Sequence, residues 1–136
     1  MKTMLIAALA VSFSIQGTPV KVPISALVGQ WETTVVSAPG SAPTFAPITI
    51  QARNGKVFVT KGSSDPLEAV VFSPRGETPE ANVALLIVRS PASATAAQTV
   101  LIEPIRPGEL RYEWIVEFNT PGRANLYASE LFRKVK

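Results

Sequence analysis

The chain has 136 residues, 46% of them hydrophobic and 17% charged, which is enough apolar material for one packed core and too little length for two ordinary domains. It contains no cysteine and no histidine, and 13 basic residues against 10 acidic ones leave a formal net charge of +3. Those absences exclude disulfide stapling, thiol and imidazole catalysis, and the common His and Cys metal centres. No cofactor and no metal are expected.

Twelve prolines and eight glycines argue against long helices, because proline removes a helical donor and clashes with the preceding turn. Many short strands are expected instead.

The first 17 residues, MKTMLIAALAVSFSIQG, place one positive charge at Lys2 before an apolar run from Met4 to Ile15, followed by small residues that suit a cleavage site. That is the layout of a secretory signal peptide, and it implies an exported chain, periplasmic or secreted. As a helix the run spans about 18 Å, short of the roughly 30 Å hydrocarbon core, so no membrane span is expected after its removal. Without Lys2 the net charge becomes +2. Residues 18–26, TPVKVPISA, read as an extended N-terminal arm, since each proline biases its predecessor away from the helical region. The remaining 27–136 form the single domain.

From there apolar runs alternate with turn chemistry. The runs cover 31–36, 44–53, 56–61, 67–72, 82–89, 98–105, 109–118 and 126–135. Asn54-Gly55 lies between ITIQAR and KVFVT, and both residues tolerate the positive φ that a type I′ hairpin turn demands. GSSDP (62–66), SPRGETPE (73–80), SPASATAA (90–97), RPG (106–108) and NTPGRAN (119–125) supply the other breaks, with a short helical turn conceivable in the alanine-rich 90–97. The small-residue stretch 37–47, SAPGSAPTFAP, suits a loop or a flap over an opening. Connections this short cannot hold crossover helices, so consecutive strands pair antiparallel as a meander.

In 109–118 the alternation is plainest: Leu110, Tyr112, Trp114, Val116 and Phe118 share one face, while Arg111, Glu113, Ile115 and Glu117 share the other. VALLIV (83–88) is apolar on both faces, which fits a doubly covered strand or a contact with a partner.

An eight-strand meander either exposes two edges or closes on itself, and closure removes the unpaired edge groups. The expected fold is therefore an all-β, eight-stranded, antiparallel up-and-down barrel. Closure sets the first strand, opening Gly29-Gln30-Trp31, beside the last, which carries Arg133. A guanidinium over the indole gains about 0.5–2 kcal/mol, and Gly29 lets the backbone turn tightly beneath the ring. In these residues the chain resembles the calycin superfamily of lipocalins, fatty-acid-binding proteins and avidins, which share Gly-x-Trp on the first strand and an Arg or Lys on the last. The resemblance implies a lipocalin-like barrel that binds ligands, with Gly29, Trp31 and Arg133 as structural signature residues. No cysteine pair, Thr-Asp-Tyr motif or cluster of tryptophans accompanies it, so it names no ligand.

The pocket candidates are Tyr112, Trp114 and Phe118, whose shared face offers apolar surface with a hydroxyl and an indole donor. The same face serves equally as filled core. Catalytic residues are not expected: Glu113 and Glu117 stand about 13 Å apart on one strand, too far for paired-carboxylate chemistry. The basic residues are scattered, without the aromatic-interleaved stripe of a nucleic-acid surface. Three readings remain: a non-catalytic binder of a small apolar or amphipathic ligand; a protein-binding module, such as a periplasmic protease inhibitor using 18–26 as an inserting arm; or a structural envelope protein with a filled core.

Overall fold

The computed structural model describes residues 20–37, 46–90 and 95–135. The leader and most of the 37–47 loop lie outside the described residues, as do 91–94 of the alanine-rich segment. Eight strands follow in order: β1 (Gly29–Ser37), β2 (Ile48–Arg53), β3 (Lys56–Lys61), β4 (Leu67–Phe72), β5 (Leu85–Arg89), β6 (Ala96–Arg106), β7 (Glu109–Phe118) and β8 (Leu126–Lys134). Each pairs antiparallel with the next, and β1 pairs with β8, so the sheet is a closed up-and-down barrel.

Closure runs through Trp31 opposite Lys134, Glu32 opposite Arg133 and Thr33 opposite Phe132. It pairs the first strand with the last, which removes the two end-strand edges that an open meander would expose.

Strand ends follow the backbone chemistry. Asn54 (φ 52°) and Gly55 (φ 76°) both adopt positive φ in the β2–β3 turn, as a type I′ hairpin requires. β2 begins at Ile48 rather than at residue 44, immediately after Pro47, which has no N–H to give a ladder. β6 is longer than its apolar run and pairs from Ala96 opposite Phe118 to Arg106 opposite Glu109. Its register shifts between Pro104 and Arg106, a bulge where proline again offers no donor.

Period-two alternation turns the apolar residues inward. Ile48, Ile50, Val57, Val59, Leu86, Val88, Ile102, Leu110, Val116 and Phe132 are buried, while Arg53, Lys56, Glu68, Arg89, Glu103, Arg111, Glu117 and Arg133 are exposed. Apolar inside and charged outside is the reverse of a barrel whose outer wall faces lipid. The strand 85–89, apolar on both faces, buries Leu86 and Val88 inward; outward, Leu85 and Ile87 are half-buried and stand opposite Phe72 and Val70 of β4.

One end of the barrel is plugged. The segment expected to be an extended arm instead makes a helical turn, α1 (Ile24–Leu27), and packs against the barrel. Val22 and Leu27 are 2% and 0% exposed and belong to the main core. Backbone partners hold the segment on the long β4–β5 connection: Val83 N–H donates to Val22 O (2.7 Å), and Ile24 N–H to Pro79 O (2.9 Å). Asn82 Oδ1 accepts the Val22 N–H (2.9 Å), and Lys21 Nζ lies 3.0 Å from Glu77. These bonds also explain why β5 starts at Leu85 rather than at 82: the backbone of Val83 is committed to the N-terminal segment.

Trp31, fully buried, lies above this plug and donates from Nε1 to Leu27 O at 3.0 Å. Gly29 has φ 142°, a conformation that favours glycine where the chain swings from the helical turn into β1.

Candidate functional site

Strand parity decides what lines the interior. On β3, Val57 and Val59 point inward, so Lys61 at the same parity does too; on β8, Ala128, Glu130, Phe132 and Lys134 form the inward row. The barrel therefore contains a lysine and a glutamate among its apolar residues. They meet Tyr112 of β7 and Thr33 of β1 near mid-barrel. Thr33 Oγ1 donates to Glu130 Oε1 at 2.6 Å, and Lys61 Nζ lies 6.0 Å from the centroid of the Tyr112 ring. Glu130 is 1% exposed, and its Oε2 has no hydrogen-bond partner among the described residues.

Burying charge this way shifts each group toward its neutral form. Burial raises the Glu130 carboxyl above its ordinary range, opposed by the Thr33 hydrogen bond and by Lys61. Burial lowers the Lys61 ammonium, opposed by Glu130. The Tyr112 phenol is pushed up to about 12, first by burial and then by the Glu130 charge.

Above this cluster the barrel is hollow. A cavity of about 270 Å³ runs from Lys61 and Tyr112 toward the end opposite α1, walled by Val59, Leu67, Val88, Val100 and Trp114 and reaching the exposed Ser64, Asp65 and Gln98. Below the cluster the barrel is filled by Trp31, Leu27, Ile48, Leu110 and Phe132; the Phe132 ring meets Tyr112 at 5.4 Å between centroids. Filled core and open pocket, alternatives from the sequence, occupy the two halves of one barrel.

Of the three pocket candidates, Tyr112 and Trp114 line the cavity, whereas Phe118 does not. Phe118 lies at the far end of β7, its ring covered by the Arg123 guanidinium at 3.7 Å. Among the signature residues, Gly29 and Trp31 stand at the closing seam, but Arg133 faces outward and is exposed. The side chain of the seam that turns inward beside Trp31 is Lys134, whose Nζ donates to Ala26 O at 3.1 Å. The expectation of a guanidinium over the indole is corrected accordingly: the two residues differ by one position, and one position reverses the face. Glu113, on the outer face, accepts a hydrogen bond from Tyr127 Oη at 3.1 Å.

Lys61 and Glu130 were not singled out by motif. Lys61 carried a signal, a charge at the same parity as Val57 and Val59 in KVFVTK; Glu130 carried none, because LYASELFRK has apolar residues on both faces and only the structure fixes which face turns inward. Among the described residues, no cluster of three or more Asp, Glu, His or Cys is arranged to hold a metal, and no helix is long and apolar enough to cross a membrane. Compared with known proteins, the chain matches no family model, no curated protein and no solved structure.

Proposed function

We propose that the chain is an exported, non-catalytic binding protein of lipocalin-like type that holds a small, mainly apolar molecule with one polar end. The observation that carries this reading is the cavity itself: valines, a leucine and an indole on its walls, and Lys61 with Tyr112 at its floor. Walls of that kind remove apolar ligand surface from water, and a few polar groups at one end fix orientation. The leader-like N-terminus supports export, and a chain without histidine or cysteine supports binding over catalysis. Gly29 and Trp31 at the seam, with Lys134 in the basic position, support the calycin resemblance.

Volume limits the ligand. A 150 Å³ apolar cavity holds benzene, so about 270 Å³ scales to roughly eleven or twelve heavy atoms, the size of a substituted bicyclic ring. At ordinary ligand efficiencies such a molecule binds with a Kd between about 10 μM and 1 mM. Calorimetric titration with 2-naphthalenemethanol is expected to saturate in that range at one site per chain, and Val100→Phe, which fills the cavity, to abolish it. Absence of saturable binding across a panel of neutral bicyclic compounds, or binding that survives Val100→Phe undiminished, would overturn the proposal.

A further inference from the structure

We infer that the ligand is a small organic monoanion, a carboxylate on a flat apolar body, with its charge placed on Lys61 Nζ and the Tyr112 hydroxyl as second donor. This rests on the binding reading above and names the chemical class that the same cavity selects. Three observations carry it. Lys61 is the cation among the described lining residues; it is half-buried and stands beside the buried Tyr112 ring, 6.0 Å from its centroid. The other charged lining residue, Asp65, belongs to the exposed β3–β4 connection at the rim, where solvent screens it. Tyr112, beside Lys61 and lining the same cavity, keeps its phenolic proton across the physiological range.

Glu130 has a defined part in this arrangement. It does not line the cavity; it lies behind, anchored to Thr33, and its charge favours the ionised form of Lys61 against the cost of burial. A ligand carboxylate then supplies a second counter-charge from the cavity side. A cationic ligand would bring like charge to the ammonium in a site of low dielectric, where repulsion is strongest. The apolar walls match a flat ring against Trp114, Val88 and Val100.

The test uses three ligands that share one naphthalene body, close to the cavity's size, and differ in charge, titrated into the purified chain: 2-naphthoate, 2-naphthalenemethanol and 2-naphthylmethylammonium. The anion is expected to bind about ten- to a hundred-fold more tightly than the alcohol, the span of one charge-assisted hydrogen bond, and the cation most weakly. In Lys61→Met the ratio of anion to alcohol affinity is expected to fall to near one, while Lys61→Arg retains a preference for the anion. Tyr112→Phe, which keeps the ring against Phe132, is expected to lower the ratio about three- to ten-fold, so the inference stays testable should Lys61→Met fail to fold. Saturable alcohol binding with no anion preference, or a preference unchanged in both Lys61→Met and Tyr112→Phe, overturns the monoanion while leaving the cavity reading intact. Tightest binding by the cation does the same. No binding by any of the three overturns both.

Discussion

At Trp31, one side chain joins two parts of the molecule. Its ring fills the closed half of the barrel, and its Nε1 proton holds the carbonyl of Leu27 in the helical turn below. Trp31→Phe keeps an aromatic ring but leaves that carbonyl unpaired, a cost of about 1–3 kcal/mol; the urea midpoint is expected to drop accordingly, and an unchanged midpoint would show that the bond contributes nothing. Glu130 is the opposite kind of residue, a polar group held inside against its solvation. Its carboxyl is raised above 4.5, so between that value and its folded pKa the native state binds more protons than the unfolded chain. The stability contributed by protonated Glu130 is therefore fully present below 4.5 and lost as pH rises through the folded pKa. Glu77 works in the other direction, held low by hydrogen bonds first from Lys21 and then from Asn82, but it is common to wild type and variant. Melting temperatures at pH 5 and pH 7 are expected to show a smaller acid advantage, or a larger acid deficit, in Glu130→Gln than in wild type. Equal pH dependence in the two proteins would mean that Glu130 titrates as it does in the unfolded chain.

Among the elements, β3 (Lys56–Lys61), β4 (Leu67–Phe72) and β7 (Glu109–Phe118) have the bounds that periodicity and turn chemistry assign. Their limits are local: alternating apolar residues bounded by Asn-Gly, Gly-Ser-Ser-Asp-Pro and Pro-Gly. The N-terminal segment differs because nothing in TPVKVPISA is periodic. Its helical turn exists because Val22 and Leu27 find a barrel end to cover and because Asn82, sixty residues away, accepts the Val22 N–H. Asn82→Ala removes that acceptor and the Asn82 hydrogen bond to Glu77, at a cost of about 1–3 kcal/mol. The loss is local as well as global: limited trypsinolysis after Lys21 is expected to become several-fold faster, and an unaltered rate would show that packing of Val22 alone holds the segment.

For the whole molecule, closure between β1 and β8 is the central feature, because it joins the two ends of the domain and places Glu130 beside Thr33 and Phe132 above Trp31 and Leu110. Truncation after Ser129 removes Phe132 from the core and leaves β1 with an unpaired edge, a template for pairing between chains. The truncated chain is expected to lose cooperative melting and to associate with rising concentration; a monomer with a sharp transition would show that the remaining seven strands suffice. Strand number, antiparallel order and the inward face of β7 were legible in the sequence because they depend on neighbours within a few residues: alternation, positive-φ turns, prolines that end ladders. So was the charge at core parity in β3, where Lys61 follows Val57 and Val59 at the same spacing. The sequence by itself thus determined a chain of eight amphipathic strands with one strongly aromatic face. Only the tertiary structure decided that Lys134 rather than Arg133 turns inward at the seam, that the N-terminal segment plugs one end, and that Lys61, Tyr112, Thr33 and Glu130 converge beneath a cavity. Each depends on which residues face one another across strands far apart in sequence, and an interior space is whatever their side chains together leave unfilled.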